Sequence, residues 1–163
     1  MPYGIYLHSK FKGGSTAKNH EDSIEILSVS HSQTLPVQVS QSREGGLSAG
    51  DPVHAPVTIT YELSSASPKV DEALNTGEHV DKMEIQFDKQ GGDPLTFHKM
   101  TLEDVVISRH DLAADSKGSS MVPTYTMELT YNKITNETKS MDAKGKAKGT
   151  VASSYSLAQV AKA

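Results

Sequence analysis

The chain has 163 residues, no cysteine, and 20 acidic against 16 basic side chains, for a net charge of −4. Disulfides, thiolate metal sites and cysteine nucleophiles are excluded by composition, and the acidic balance argues against general nucleic-acid or anionic-membrane binding. No apolar run is long enough to span a bilayer, and residues 1–7 lack the basic start and apolar core of a cleavable signal, so folding in the cytoplasm is expected.

Length alone makes a single domain over residues 1–163 the default. Period-two alternation recurs along it. Tyr3, Ile5 and Leu7 share one face of a first strand, which Lys12-Gly13-Gly14-Ser15 ends. Between Ser23 and His31 the apolar phase slips. Ile24 and Ile26 share a face while Leu27 and Val29 take the other, as at a bulge or in a strand buried on both faces. Counting by two from Ser30 sets Ser28 and Ile26 on its face and leaves Leu27 and Val29 for the core. Leu35, Val37 and Val39 alternate again, with Pro36 favouring an edge or a strand start.

Residues 41–54 contain Gly45, Gly46 and Gly50 and run through Asp51-Pro52 to His54. An unpatterned stretch of this length reads as a functional or disordered loop. Val57, Ile59, Tyr61 and Leu63 alternate with Thr58, Thr60, Glu62 and Ser64, the clearest strand of all.

Residues 66–77 are the one convincing helix. Ser67 is placed as N-cap and Pro68 at the first helical position. Asp71 and Glu72 lie toward the positive end of the helix dipole, and Gly77 can end the helix in a left-handed conformation. Val70, Ala73 and Leu74 form a short apolar stripe that must dock on something else. Strands follow at Met83, Ile85 and Phe87, then across 95–108, then at Tyr125, Met127, Leu129 and Tyr131, and last at Val151, Tyr155 and Leu157. Gln90-Gly91-Gly92-Asp93-Pro94 makes a turn. Residues 139–149 carry four lysines (Lys139, Lys144, Lys146 and Lys148) against Asp142, and read as a solvated, mobile connector. With no aromatic interleaved they do not suggest a nucleic-acid site. Short strands parted by Gly and Pro turns, with one helix, indicate an antiparallel barrel or sandwich.

Catalytic chemistry is not in view. The seven histidines, His8, His20, His31, His54, His79, His98 and His110, show no H-x-H, H-x-x-x-H or H-E-x-x-H spacing. They read as separate imidazoles on surfaces and strand faces. No nucleophile elbow or phosphate loop occurs, and no cofactor or metal is expected. Asn136-Glu137-Thr138 fits a glycosylation sequon by chance.

The ordered set of Gly13-Gly14-Ser15, His20 and Ile24-Glu25-Ile26-Leu27-Ser28-Val29-Ser30 resembles the start of the Hcp family, the tube proteins of the bacterial type VI secretion system. Gly45-Gly46 to Gly50 resembles its extended loop, and Ala66-Ser67-Pro68-Lys69 with Gly77-x-His79 its helix. Ile85, Gly91-Gly92-Asp93, Leu102-x-Asp104-Val105-Val106-Ile107-Ser108, Tyr131-x-Lys133-Ile134 and residues 149–157 continue the likeness. The resemblance implies two packed antiparallel sheets closing into a barrel with a flanking helix. It implies homohexameric rings with a wide lumen, stacked into a tube that a contracting sheath expels together with spike proteins. Small effector proteins would ride in the lumen, and no enzyme domain is expected at the C-terminus. On this chain Gly45, Gly46, Leu47, Ser48, Ala49 and Gly50 become candidates for ring stacking, and Ser30 for the lumen and cargo. The protein would reside in the cytoplasm before firing and then be secreted. The competing reading is a monomeric β-sandwich binding module of adhesin or carbohydrate-binding type, poorly supplied with aromatics at 6% and no Trp.

Overall fold

The computed structural model describes residues 3–40, 46–89, 95–117, 122–141 and 147–157. Its strands are β1 (Tyr3–His8), β2 (Ile24–Ser30), β3 (Gln33–Thr34), β4 (Val37–Ser40), β5 (Gly46–Ala49), β6 (Val53–His54) and β7 (Val57–Glu62). After α1 (Ser67–Thr76) come β8 (His79–Lys89), β9 (Leu95–Ala113), β10 (Thr124–Met141) and β11 (Ala147–Ser156). The main sheet runs β11-β10-β7-β2-β1-β8-β9, and β9 pairs back onto β10. The result is a closed, antiparallel six-strand barrel, β10-β7-β2-β1-β8-β9. Closure removes the sheet edges that an open sheet would leave unpaired. β7 pairs with Thr124–Leu129 of β10 and β11 with Lys133–Met141, one after the other along the strand.

The alternating residues of the sequence fill this barrel. Leu7, Ile24, Val57, Ile59, Tyr61, Met83, Ile85, Leu102, Met127 and Leu129 are fully or almost fully buried. β8 and β9 are long strands, of 11 and 19 residues. The stretch from 95 to 113 is one strand rather than two, and it stays paired past irregularities at Phe87/Asp88 and Glu128/Leu129. Asp104 takes φ 52 within it, a left-handed conformation that Asp tolerates. Its carboxylate accepts hydrogen bonds from His79 Nδ1 at 2.7 Å and from the Asn132 amide.

The helix forms where expected, but its start differs. Ala66 is the N-cap and makes no side-chain cap, so Ser67 and Pro68 are both inside the first turn. The Ser67 hydroxyl instead accepts from the Ser64 N–H at 3.3 Å, which stabilises the turn before the helix. Asp71 and Glu72 fall beyond the first turn. Asp71 reaches across to the His110 ring, 2.5 Å from Nδ1, and so ties the helix to β9. Val70 and Ala73 are buried and Leu74 packs partly exposed against the core. Gly77 ends the helix at φ 65, its N–H bonded to the Leu74 carbonyl.

Two expected loops are built structure. Residues 46–49 form β5 and 53–54 form β6, so most of 46–54 is paired strand. Lys139 pairs with Thr150 and Ser140 with Gly149, so the flanks of the lysine-rich stretch are strand, not connector. Residues 142–146 and the 90–94 turn lie outside the described residues.

Candidate functional site

β2 and β7 lie side by side and antiparallel, and the described residues between them form two short ribbons outside the main sheet. At their root, β3 pairs with β6, Gln33 opposite His54 and Thr34 opposite Val53. Beyond it β4 pairs with β5: Val37 opposite Ala49, Gln38 opposite Ser48, Val39 opposite Leu47 and Ser40 opposite Gly46. Cross-strand partners share a face, so Val37, Val39, Leu47 and Ala49 make one apolar face and Gln38 and Ser48 the other. Val39 is 71% exposed and Leu47 76%. Gly46, Leu47, Ser48 and Ala49 are therefore strand residues. Gly50 follows them, its N–H bonded to the Pro36 carbonyl at 2.8 Å. Gly45 lies outside the described residues. A paired ribbon has already lost much of the entropy that a loop ordering on contact would lose later.

The far end of the same strand pair carries a concavity. A cavity of about 480 Å³ is lined by Gly14, Ser15, Glu25, Leu27, Glu62 and Leu63, among others. Leu27 and Leu63 stand half-exposed at 55% and 47%. Leu112 and Val122 are exposed on neighbouring strand ends, where Thr124 faces both Glu62 and Ala113. Exposed apolar side chains thus gather at both ends of the β2–β7 pair.

A shift of pairing between Ile26 and Ser28 makes Leu27 the extra residue of a bulge in β2. The bulge overturns the simple count by two. Ile26 is buried and not on the face of Ser30, Leu27 turns outward, and Val29 returns toward the core. Ser28 and Ser30 are exposed. Ser30 pairs with Thr58 and Ser28 with Thr60. On the next strands Thr58 faces Glu128 and Thr60 faces Thr126, then Glu128 faces Arg109 and Thr126 faces Asp111. This outer face of the barrel is a band of short hydroxyls, with Arg109 bridging Asp111 at 2.5 Å and Glu128 at 3.8 Å. Thr58, Thr60 and Thr126 were in plain sight as the polar half of two alternating strands. Only the register sets them beside Ser30.

Four of the seven histidines meet in two pairs, His8 with His20 and His31 with His54. His20 is buried and stacks on Tyr6 at 4.0 Å. Its ring lies 2.7 Å from His8 Nε2 on one side and bonds Asp88 on the other, and Asp88 accepts from Thr96 at 2.6 Å. Burial lowers the pKa of His8 and the neighbouring His20 lowers it further. His110 lies 2.7 Å from the Tyr61 hydroxyl, a phenol pushed up to about 12 by burial. His31 and His54 meet on Tyr131. These networks satisfy buried polar groups. Among the described residues no cluster of three or more metal-ligating side chains occurs, and no helix is long and apolar enough to cross a membrane.

A closed antiparallel β-barrel with one flanking helix and a two-stranded ribbon between β2 and β7 defines the class of fold. Residues 6–137 match the family model described as "Type VI secretion system effector, Hcp", and the chain belongs to the Hcp family of type VI secretion tube proteins. It is 31% identical over 97 residues to the "Major exported protein" of Pseudomonas aeruginosa, across 58% of this chain and 54% of that one, so the match spans about half the length of that relative. The structure described as that of "a type six secretion system protein" superposes with a TM-score of 0.92 at 25% identity, covering 99% of this chain and 100% of the other. Hcp1 from Salmonella typhimurium shares the fold, with a TM-score of 0.75 at 21% identity over the whole of both chains.

Proposed function

We propose that this chain is a secreted, non-enzymatic tube subunit whose copies close into six-membered rings, and that the rings stack head to tail. The carrying observation is the opposition of an apolar projection and a concavity. The hairpin face of Val37, Val39 and Leu47 projects from one end of the β2–β7 pair, and the half-exposed Leu27 and Leu63 rim a cavity at the other. A protrusion at one end and a receptacle at the other make a heterologous contact, which propagates along an axis instead of closing as a dimer. The stacking residues are Leu47, with Gly46, Ser48, Ala49 and Gly50 shaping the ribbon around it. The hydroxyl band about Ser30 is the lumen face, wet enough to carry small effector proteins without binding them irreversibly. The spike and the sheath of the secretion system are the further partners. The single-domain chain folds in the cytoplasm and leaves it on firing.

Gel filtration coupled to light scattering should return a hexamer at roughly tens of micromolar, a concentration well above ordinary interface dissociation constants. A monomer there would sink the ring and favour the binding-module reading. Leu47→Glu should leave the ring intact and abolish tubes seen by electron microscopy. Ser30→Gln should lower cargo recovery with intact rings, and equal recovery would remove Ser30 from the lumen site.

A further inference from the structure

The root of the hairpin meets the barrel at the hydroxyl of Tyr131. His31 follows β2 directly, and His54 is the last residue of β6. The two therefore stand on opposite legs of the hairpin where it leaves the barrel. Ala55 N–H bonds the Ser32 carbonyl at 3.0 Å, which holds the legs together. His31 Nε2 lies 2.7 Å and His54 Nδ1 2.8 Å from the Tyr131 hydroxyl, on β10. Tyr131 is almost fully buried, and its phenol is pushed up to about 12 by that burial, so it stays protonated. His54 also stacks on Tyr155 of β11, with ring centres 4.8 Å apart and planes at 10°.

A phenol has one proton to donate and an oxygen that accepts. With both imidazoles neutral the chain closes completely: one ring accepts the phenol proton and the other donates its N–H to the phenol oxygen. When both rings are protonated, both must donate, two cations face each other across one oxygen, and the phenol proton loses its acceptor in a buried position. We propose that this pair is a pH-operated latch, in which neutral His31 and His54 hold the hairpin root on Tyr131 and their joint protonation releases it.

Among the described residues, the groups facing the latch are His31 itself, His54 from β6, Tyr131 from β10 and Tyr155 from β11. None of these is a carboxylate that would offset a second positive charge. Burial lowers the pKa of His31, and the charge of His54 lowers it further. The sign follows. A lowered folded value means that the contribution of His31 is complete above the ordinary imidazole value of about 6.5 and is lost as pH falls through its own lowered value. Acidification therefore frees the hairpin, while the barrel, which does not depend on this pair, stays closed. The latch concerns the attachment of the root and holds whether or not rings stack.

The test uses the full chain. Amide exchange of the peptides spanning 31–35 and 52–56 is compared at about pH 7.5 and 5.5, either side of the imidazole range. It is normalised to intrinsic exchange and to the buried β7 strand. Root protection should fall at the lower pH, while β7 is unchanged. Imidazole nitrogen spectra should show His31 and His54 in neutral, single-tautomer form at the higher pH. Tyr131→Phe should leave the root poorly protected at both values. In the double variant His31→Gln, His54→Gln, which cannot titrate, the root should lose its pH response. Normalised protection that does not change with pH in the natural chain overturns the latch. So does a pH response that survives in the double variant.

Discussion

The hairpin and the barrel wall carry the same pattern and meet opposite fates. Val37 and Val39 alternate with polar residues just as Val57, Ile59 and Tyr61 do. The latter three are fully buried, while Val37 and Val39 are 50% and 71% exposed. Alternation says that a strand has an apolar face. What covers that face depends on how many other elements can reach it. β7 is flanked by β2 and β10 and roofed by the rest of the barrel. β4 has only β5, in a two-stranded sheet of its own. An isolated ribbon is marginally stable without a covered face, and in the proposed tube the next ring would cover it.

The largest test of this contrast lies in the wall. Ile59→Ala or Leu129→Ala should lower unfolding stability by about 2–5 kcal/mol in denaturant titration, since each leaves a cavity in a closed barrel. A loss below 1 kcal/mol would mean that the wall packs no better than the ribbon. Next comes Gly13→Ala. An added Cβ would lie 2.7 Å from the Ser23 carbonyl oxygen and 2.8 Å from Ile24 Cα, both backbone. A cost of about 1–3 kcal/mol is expected from forced overpacking, and an unchanged Tm would show that the turn shifts freely. Gly77→Ala is smaller, about 1–2 kcal/mol for a left-handed non-glycine residue, and it meets no neighbour within 4 Å.

A pH effect comes after these. The His79 ring and then the Asn132 amide hold the Asp104 carboxylate below its ordinary range. Its contribution is present above the unfolded value of about 4 and is lost as pH falls through the lowered folded one. His79→Gln should shrink that loss in acid titrations of stability; an identical acid limb in variant and parent would remove the pair. The smallest effect belongs to the ribbon. Val39→Ser should change stability by no more than about 0.5 kcal/mol, as for exposed positions generally, while weakening tube formation. A large loss of stability would mean that the barrel covers Val39 after all.

The sequence alone determined the local order of this protein. The strands of the barrel wall, the helix with its Val70 and Ala73 stripe, the left-handed stop at Gly77 and the phase slip in β2 follow from rules that act within a few residues. The family likeness was legible for the same reason, because its motifs are local. What required the tertiary structure was everything decided by pairing across distance. The bulge at Leu27 could be suspected, but only the register with β7 shows that Ile26 and Ser30 face opposite ways. Glycines at 45, 46 and 50 suggested a loop because glycine disfavours strands, yet the partner strand β4 holds 46–49 in a ribbon. His8 and His20, like His31 and His54, looked solitary because no spacing rule joins residues on different strands. They meet because a barrel closes on itself, and closure is a long-range contact that no short window of sequence contains.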